Sequence, residues 1–251
     1  MIHFVGAGPG GADLITVRGA ELLKEADLVI YAGSLVNPAL LDYCKDTCEI
    51  HNSASLTLEE VVAIMKAGND AGKTIVRLHT GDPSLYGAHR EQMDELDRLG
   101  IAYDVVPGVS SFSGAAAALC AEYTLPQVSQ SVIITRMEGR TSVPEGERLA
   151  SMASHGCSMV LFLSAGLLEA AQEELIAGGY RAETPAAIVY KATWPDEAVY
   201  HCTVGTLAQT AADKQISKTA LILVGDFLSG TVERSKLYDP AFAHEFRTAS
   251  E

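Results

Sequence analysis

Short apolar runs alternate with helical patterns along the chain from its first residues. Ile2-His3-Phe4-Val5 reads as a strand, Val17 to Ala26 as a helix and Leu28-Val29-Ile30-Tyr31 as a second strand, the grammar of an α/β fold. The clearest helix opens at Thr57, where Leu58, Val61, Val62 and Met65 line one face and Thr57 and Glu60 are spaced as a capping box. Its end is expected near Gly72. Next come a strand from Thr74 to Leu78, a Gly-Asp-Pro turn, a helix from Ala88 to Leu99, a strand from Ile101 to Val106 and an apolar helix around Phe112 to Ala121.

The segment from Tyr123 to Gln130 carries a proline and no helical period, which places a domain boundary there and divides the chain into 1–124 and 125–251. Strands are then expected at Ser131 to Thr135, Ser158 to Leu163, Ala186 to Tyr190, Ala198 to Thr203 and Ala220 to Val224. Thr193-Trp194-Pro195-Asp196 predicts a hairpin and so a mixed second sheet. The tail after Asp226 is charged and expected to fray.

Charge narrows the partners. The 18 basic and 32 acidic residues give a formal net charge of −14, which repels nucleic-acid backbones and anionic membranes. The 5 cysteines are odd in number and scattered, as in a reducing cytoplasm. Only Cys44 and Cys48 come close; a helix over Asp42 to Cys48 would put them on one face, but further ligands at zinc-like spacing are missing, so no metal site is expected. The start runs directly into a strand without a basic leader, and no apolar stretch reaches the length of a membrane span, so a cytoplasmic protein is expected.

Gly6-Ala7-Gly8-Pro9-Gly10-Gly11 follows the first strand with the G-x-G-x-x-G spacing of dinucleotide folds. Such folds place an acidic residue at the end of the second strand, whereas here Asp27 precedes that strand. A nicotinamide site is therefore not expected. The loop reads instead as one wall of a cleft at the carboxyl edge of a mostly parallel sheet, together with the loops His79 to Gly87 and Pro107 to Ser111. Asp82 before Pro83 equally suits an Asx turn, and Ser110 or Ser111 a helix N-cap.

Taken together, Val5-Gly6-Ala7-Gly8-Pro9-Gly10 with Asp13-Leu14-Ile15-Thr16, Gly81-Asp82-Pro83 with Gly87, and Pro107-Gly108-Val109-Ser110-Ser111 resemble the tetrapyrrole methylase family. Ile133-Ile134-Thr135-Arg136, Glu138-Gly139-Arg140-Thr141, the stretch Val189 to Glu197 and Gly225-Asp226-Phe227 resemble its precorrin-4 C11-methyltransferase branch. The second loop departs from the uroporphyrinogen branch, since Thr80 and Ser84 stand where that branch has glycine and phenylalanine.

The resemblance implies two α/β domains of the class III methyltransferase type, S-adenosyl-L-methionine in the cleft between them, S-adenosyl-L-homocysteine as product, and a homodimer. It implies cofactor contacts at Pro9, Thr80, Gly81, Asp82, Leu85, Ser110, Ser111, Ser164, Ala192, Thr219 and Ala220. Methylation of carbon 11 of precorrin-4 on the way to cobalamin is the implied reaction, with the ring either free of cobalt or carrying it. The macrocycle's own enamine character activates the carbon, so a base is optional; Asp82, His79 and Tyr86 are the candidates for polar assistance. A ring bearing carboxylates needs cations, which Arg18, Arg90, Arg136, Arg140 and Lys191 would supply; with Gly8 they form the expected substrate set. The rivals are an RNA methylase of the same fold, which would need a basic stripe, and a non-catalytic sensor of the cofactor or of tetrapyrroles.

Overall fold

The computed structural model describes residues 1–230, 235, 239–243 and 245–248, and clusters into two compact units. The first comprises Met1–Ala115 with Lys191–Glu197, the second Ala116–Tyr190 with Ala198–Glu251.

In the first unit, β1 (Ile2–Gly6), β2 (Leu28–Tyr31), β3 (Glu49–Asn52), β4 (Ile75–His79) and β5 (Tyr103–Val106) form one sheet in the order β3-β2-β4-β1-β5. Every pairing in it is parallel, with Gly6 opposite His79 and Val5 opposite Val106. The central strands are buried on both faces, which is why they read as continuous apolar runs. Val5, Val29, Val76, Leu78 and Val106 meet Leu23 of α1 (Val17–Glu25) on one face. Ile2, Phe4, Ile30 and Ile75 meet Val61 and Met65 of α2 (Leu58–Asp70) and Leu96 of α3 (Arg90–Leu99) on the other. The capping box at Thr57 and Glu60 forms as expected, and Gly72, at φ +71°, follows α2.

No helix forms over Asp42 to Cys48; a 3-10 turn over Pro38–Tyr43 ends at Cys44, and β3 follows. β3 was not legible in the sequence because Glu49-Ile50-His51-Asn52 is an edge strand with one apolar side chain, itself exposed. α4 (Ser111–Ala118) also stops short of Ala121.

The second unit holds β6 (Val132–Arg136), α5 (Leu149–Ala153), β7 (Ser158–Phe162), α6 (Leu168–Ala177), β8 (Pro185–Tyr190), β9 (Ala198–Thr203), α7 (Leu207–Asp213) and β10 (Ala220–Val224). Its sheet runs β6-β7-β10-β8-β9 and is mixed, parallel between β6 and β7 and antiparallel elsewhere, with the expected hairpin from β8 to β9. The chain stays ordered past Asp226: a 3-10 turn over Asp226–Ser229 buries Phe227, whose ring lies 5.1 Å from that of Tyr123. Fraying of the tail beyond Gly230 falls largely outside the described residues. Among the described residues no helix is long and apolar enough to cross a membrane.

Candidate active site

At the carboxyl edge of the parallel sheet the three glycine-bearing loops meet backbone to backbone. Gly8 and Gly81 exchange N–H···O bonds of 3.2 and 2.9 Å. A Cβ on Gly6 would lie 2.6 Å from Gly108 Cα and 2.7 Å from the Gly81 carbonyl, so no side chain fits where the loops cross. Asp82 stitches the second loop to the third. Its Oδ2 accepts from the Gly108 N–H at 2.8 Å, and its Oδ1 accepts from the Ser84 N–H at 2.8 Å and from the Ser84 hydroxyl. The Asx turn is therefore present, with a cross-loop bond added. Burial opposes ionisation of Asp82, but these donors outweigh it and hold the carboxyl below its ordinary value.

A phosphate cradle needs unspent backbone N–H groups, and the first loop has few. Ala7 donates to the His79 carbonyl at 2.7 Å, Gly8 to Gly81, Gly11 to Thr193 Oγ1 at 2.9 Å and Leu14 to the Gly11 carbonyl at 3.0 Å, while Pro9 has no donor. The G-x-G-x-x-G spacing here builds a crossing point for chains. Sequence reasoning missed the partners of its second half, because Thr193 and Trp194 lie some 180 positions away in the chain.

Beneath the second loop lies a buried polar spine, also unforeseen. Arg77, 6% exposed, donates from Nε to Gln92 Oε1 at 3.0 Å and from Nη1 to the Ile30 carbonyl at 3.2 Å. Gln92 in turn donates to the Ala88 carbonyl at 3.2 Å. A charged residue inside the run Ile75-Val76-Arg77-Leu78 was the available signal. Burial lowers the Arg77 pKa to about 10, which leaves it protonated at neutral pH. His79, 3% exposed, packs 5.9 Å from the Phe4 ring and 5.7 Å from His89, and its buried Nε2 has no hydrogen-bond partner among the described residues. Burial, with Arg77 and His89 adding to it, lowers the His79 pKa to about 3. A neutral, enclosed imidazole of that basicity is poorly suited to exchange protons near pH 7. Tyr86 and Ala88 sit at φ +55° and +47°, left-handed conformations that cost on the order of 1 kcal/mol or more each. Thr80 is exposed, Leu85 and Ser111 half-buried, and Ser110 buried at the start of α4.

Residues 1–208 match the family described as Tetrapyrrole (Corrin/Porphyrin) Methylases. The chain belongs to that family. It is 51% identical to the cobalt-precorrin-4 C(11)-methyltransferase of Methanocaldococcus jannaschii, over 98% of this chain and 95% of that one. It is 44% identical to the precorrin-4 C(11)-methyltransferase of a Sinorhizobium species, over 100% and 99% of the two chains. The X-ray structure of a cobalamin biosynthetic enzyme, cobalt precorrin-4 methyltransferase, matches with TM-score 0.88 and 47% identity over 90% of this chain and 95% of that one. A uroporphyrin-III C-methyltransferase from Thermus thermophilus, solved in complex with S-adenosyl homocysteine, matches with TM-score 0.77 and 25% identity over 92% and 99%.

Within this tetrapyrrole methylase the remaining expected residues are variously occupied. Ser164 is fully buried; its hydroxyl donates to the Phe162 carbonyl at 2.7 Å and accepts from the Met137 N–H at 2.8 Å, and its own carbonyl accepts from the Leu167 N–H at 2.9 Å, so its hydroxyl is spent within the second unit. Ala192 and Ala220 are buried, and Thr219 is left-handed at φ +55°. Three of the five expected cations are held by carboxylates: Arg18 by Asp104 at 2.8 Å, Arg90 by Asp94 at 2.5 Å and Lys191 by Asp196 at 2.6 Å. Arg136 pins its own loop, donating to the carbonyls of Met137, Thr141 and Ser142 at 3.3, 3.1 and 2.7 Å. Arg140 is exposed on the loop so pinned and forms no ion pair among the described residues.

Proposed function

We propose that the chain methylates carbon 11 of a precorrin-4 ring in cobalamin biosynthesis, with S-adenosyl-L-methionine as donor and the cobalt-bearing ring as preferred acceptor. The observation that carries this reading is the match, over nearly the full length of both chains, to relatives named for that reaction. Identity is higher to the relative named for the cobalt form, 51% against 44%.

The rim fits such a donor. The first loop's Ala7, Gly8, Gly11 and Leu14 N–H groups are consumed internally, which disfavours a polyphosphate there, while the rim's small residues allow close backbone approach to an adenosine. Asp82, kept ionised by its donors, puts a negative charge near a cationic ligand. When bound, S-adenosylmethionine supplies an electrophilic methyl group. The task left to the chain's residues is alignment and exclusion of water, worth several kcal/mol. Thr80, Gly81, Asp82, Leu85, Ser110 and Ser111 in the first unit are the contacts this reading assigns, and Pro9 holds the loop opposite. Ser164, Ala192, Thr219 and Ala220 enter on the family resemblance alone. Tyr86 and Asp82 are assigned polar assistance; His79, neutral and enclosed, is assigned a packing role. The reading also carries a homodimer and a cytoplasmic location, which light scattering and cell fractionation check.

The test is incubation with methyl-labelled donor and either precorrin-4 or cobalt-precorrin-4, followed by carbon NMR. Label at carbon 11, appearing faster with the cobalt-bearing ring, is expected. Label on another ring carbon, or none, overturns the reading.

A further inference from the structure

The tip of the β8–β9 hairpin, Lys191–Glu197, clusters with the first unit although its strands belong to the second. This tip is a preformed object. Trp194 donates its N–H to the Lys191 carbonyl at 3.0 Å, Glu197 donates its own to Trp194 at 3.0 Å, and the Thr193 N–H donates to Glu197 Oε2 at 2.6 Å. The Lys191 ammonium lies 5.4 Å from the centre of the Trp194 ring while paired with Asp196. Lys191 and Thr193 hold left-handed conformations, at φ +46° and +67°, which is uncommon for a β-branched residue such as threonine.

What the tip grips is the glycine loop. Thr193 Oγ1 takes the Gly11 N–H at 2.9 Å. The indole edge occupies the space beside Gly10, where a Cβ would fall 2.0 Å from Trp194 Cδ1. From the other flank Asn37 Nδ2 donates to the Gly10 carbonyl at 2.8 Å. Gly8 is already tied to Gly81, so the loop is fastened at each end with Pro9 between.

We infer that Thr193 and Trp194 are positioning residues for the methyl donor: they fix the Gly8–Gly11 wall against which it binds. This rests on the methyltransferase reading above. Thr193→Val keeps the shape and removes the acceptor, leaving the Gly11 N–H unmatched; Thr193→Ser keeps the acceptor. Trp194 is the 1 tryptophan of the chain, so its emission reports on this wall without labelling.

The experiment uses the full chain with S-adenosylhomocysteine as probe, titrated by calorimetry and by tryptophan fluorescence. Wild type is expected to bind with a change in emission. Thr193→Val is expected to weaken binding about tenfold, and Thr193→Ser to recover it within about twofold, with the Michaelis constant for the tetrapyrrole unchanged. Trp194→Phe, which retains an aromatic plate, is expected to fall between them. If Thr193→Val binds the probe as wild type does, or Thr193→Ser fails to recover it, the positioning role is wrong. Wild type that does not bind the probe refutes the methyltransferase reading itself, and the two failures are thus distinguishable.

Discussion

A single carboxylate at Asp82 accepts three hydrogen bonds, two within its own loop and one from Gly108 of the next, and its removal should be felt as a loss of stability. Asp82→Asn is expected to cost about 1–3 kcal/mol in urea unfolding at pH 7. Because the folded state lowers this pKa from 3.8, the contribution is present above about pH 3.8 and is lost as the pH falls below it; the mutant and wild type should therefore converge in acid. His79 acts in a different window. Its ordinary value of 6.5 falls to about 3 on folding, so its contribution is complete above pH 6.5 and drains away as the pH drops from 6.5 towards 3. Wild type should lose stability between pH 7.5 and 5, and His79→Gln should lose less over the same interval. Arg140→Ala, which touches no internal ion pair among the described residues, should raise the tetrapyrrole Michaelis constant by about 3- to 10-fold with little change in unfolding midpoint; an unchanged constant removes Arg140 from the substrate set. At this scale the glycines of the three loops and the Asx turn were legible in the sequence, whereas the buried Arg77 went unread. The sequence could not show that Arg77 leads through Gln92 to Ala88, since that path depends on which strand and helix lie side by side.

Elements were the most legible level wherever local chemistry agreed with the apolar period. α2 has both, and Thr57→Ala should lower stability by about 0.5–2 kcal/mol through loss of one N-terminal acceptor, read from thermal unfolding. The β8–β9 hairpin was legible from its turn residues, and the strands of the mixed sheet fell within a residue or two of their expected ends. β3 escaped because an edge strand can be polar on both faces. α3 starts at Arg90 rather than at the expected Ala88, because Ala88 takes a left-handed turn that its sequence does not announce. The loop crossing offers the sharpest test among the elements. A Cβ at Gly108 would stand 2.2 Å from the Gly81 carbonyl, so Gly108→Ala should destabilise by about 3 kcal/mol, whereas Gly100→Ala, which meets nothing within 4 Å but sits at φ +66°, should cost less.

For the whole molecule, charge and chain path matter most. A net charge of −14 opposes the approach of a ring bearing carboxylates, so the association rate of the tetrapyrrole should rise as added salt screens that field. Stopped-flow mixing between low and physiological ionic strength reads this directly, and a rate that falls with salt would mean that local cations dominate. The order of the chain has a consequence for synthesis. The first unit's glycine loop is translated some 180 residues before the tip that fastens it, Lys191–Glu197. At roughly 5–20 residues per second the ribosome leaves that loop half-tied for on the order of 10 s. A nascent chain stalled before residue 191 should accordingly expose its first loop to proteases, and one released whole should not.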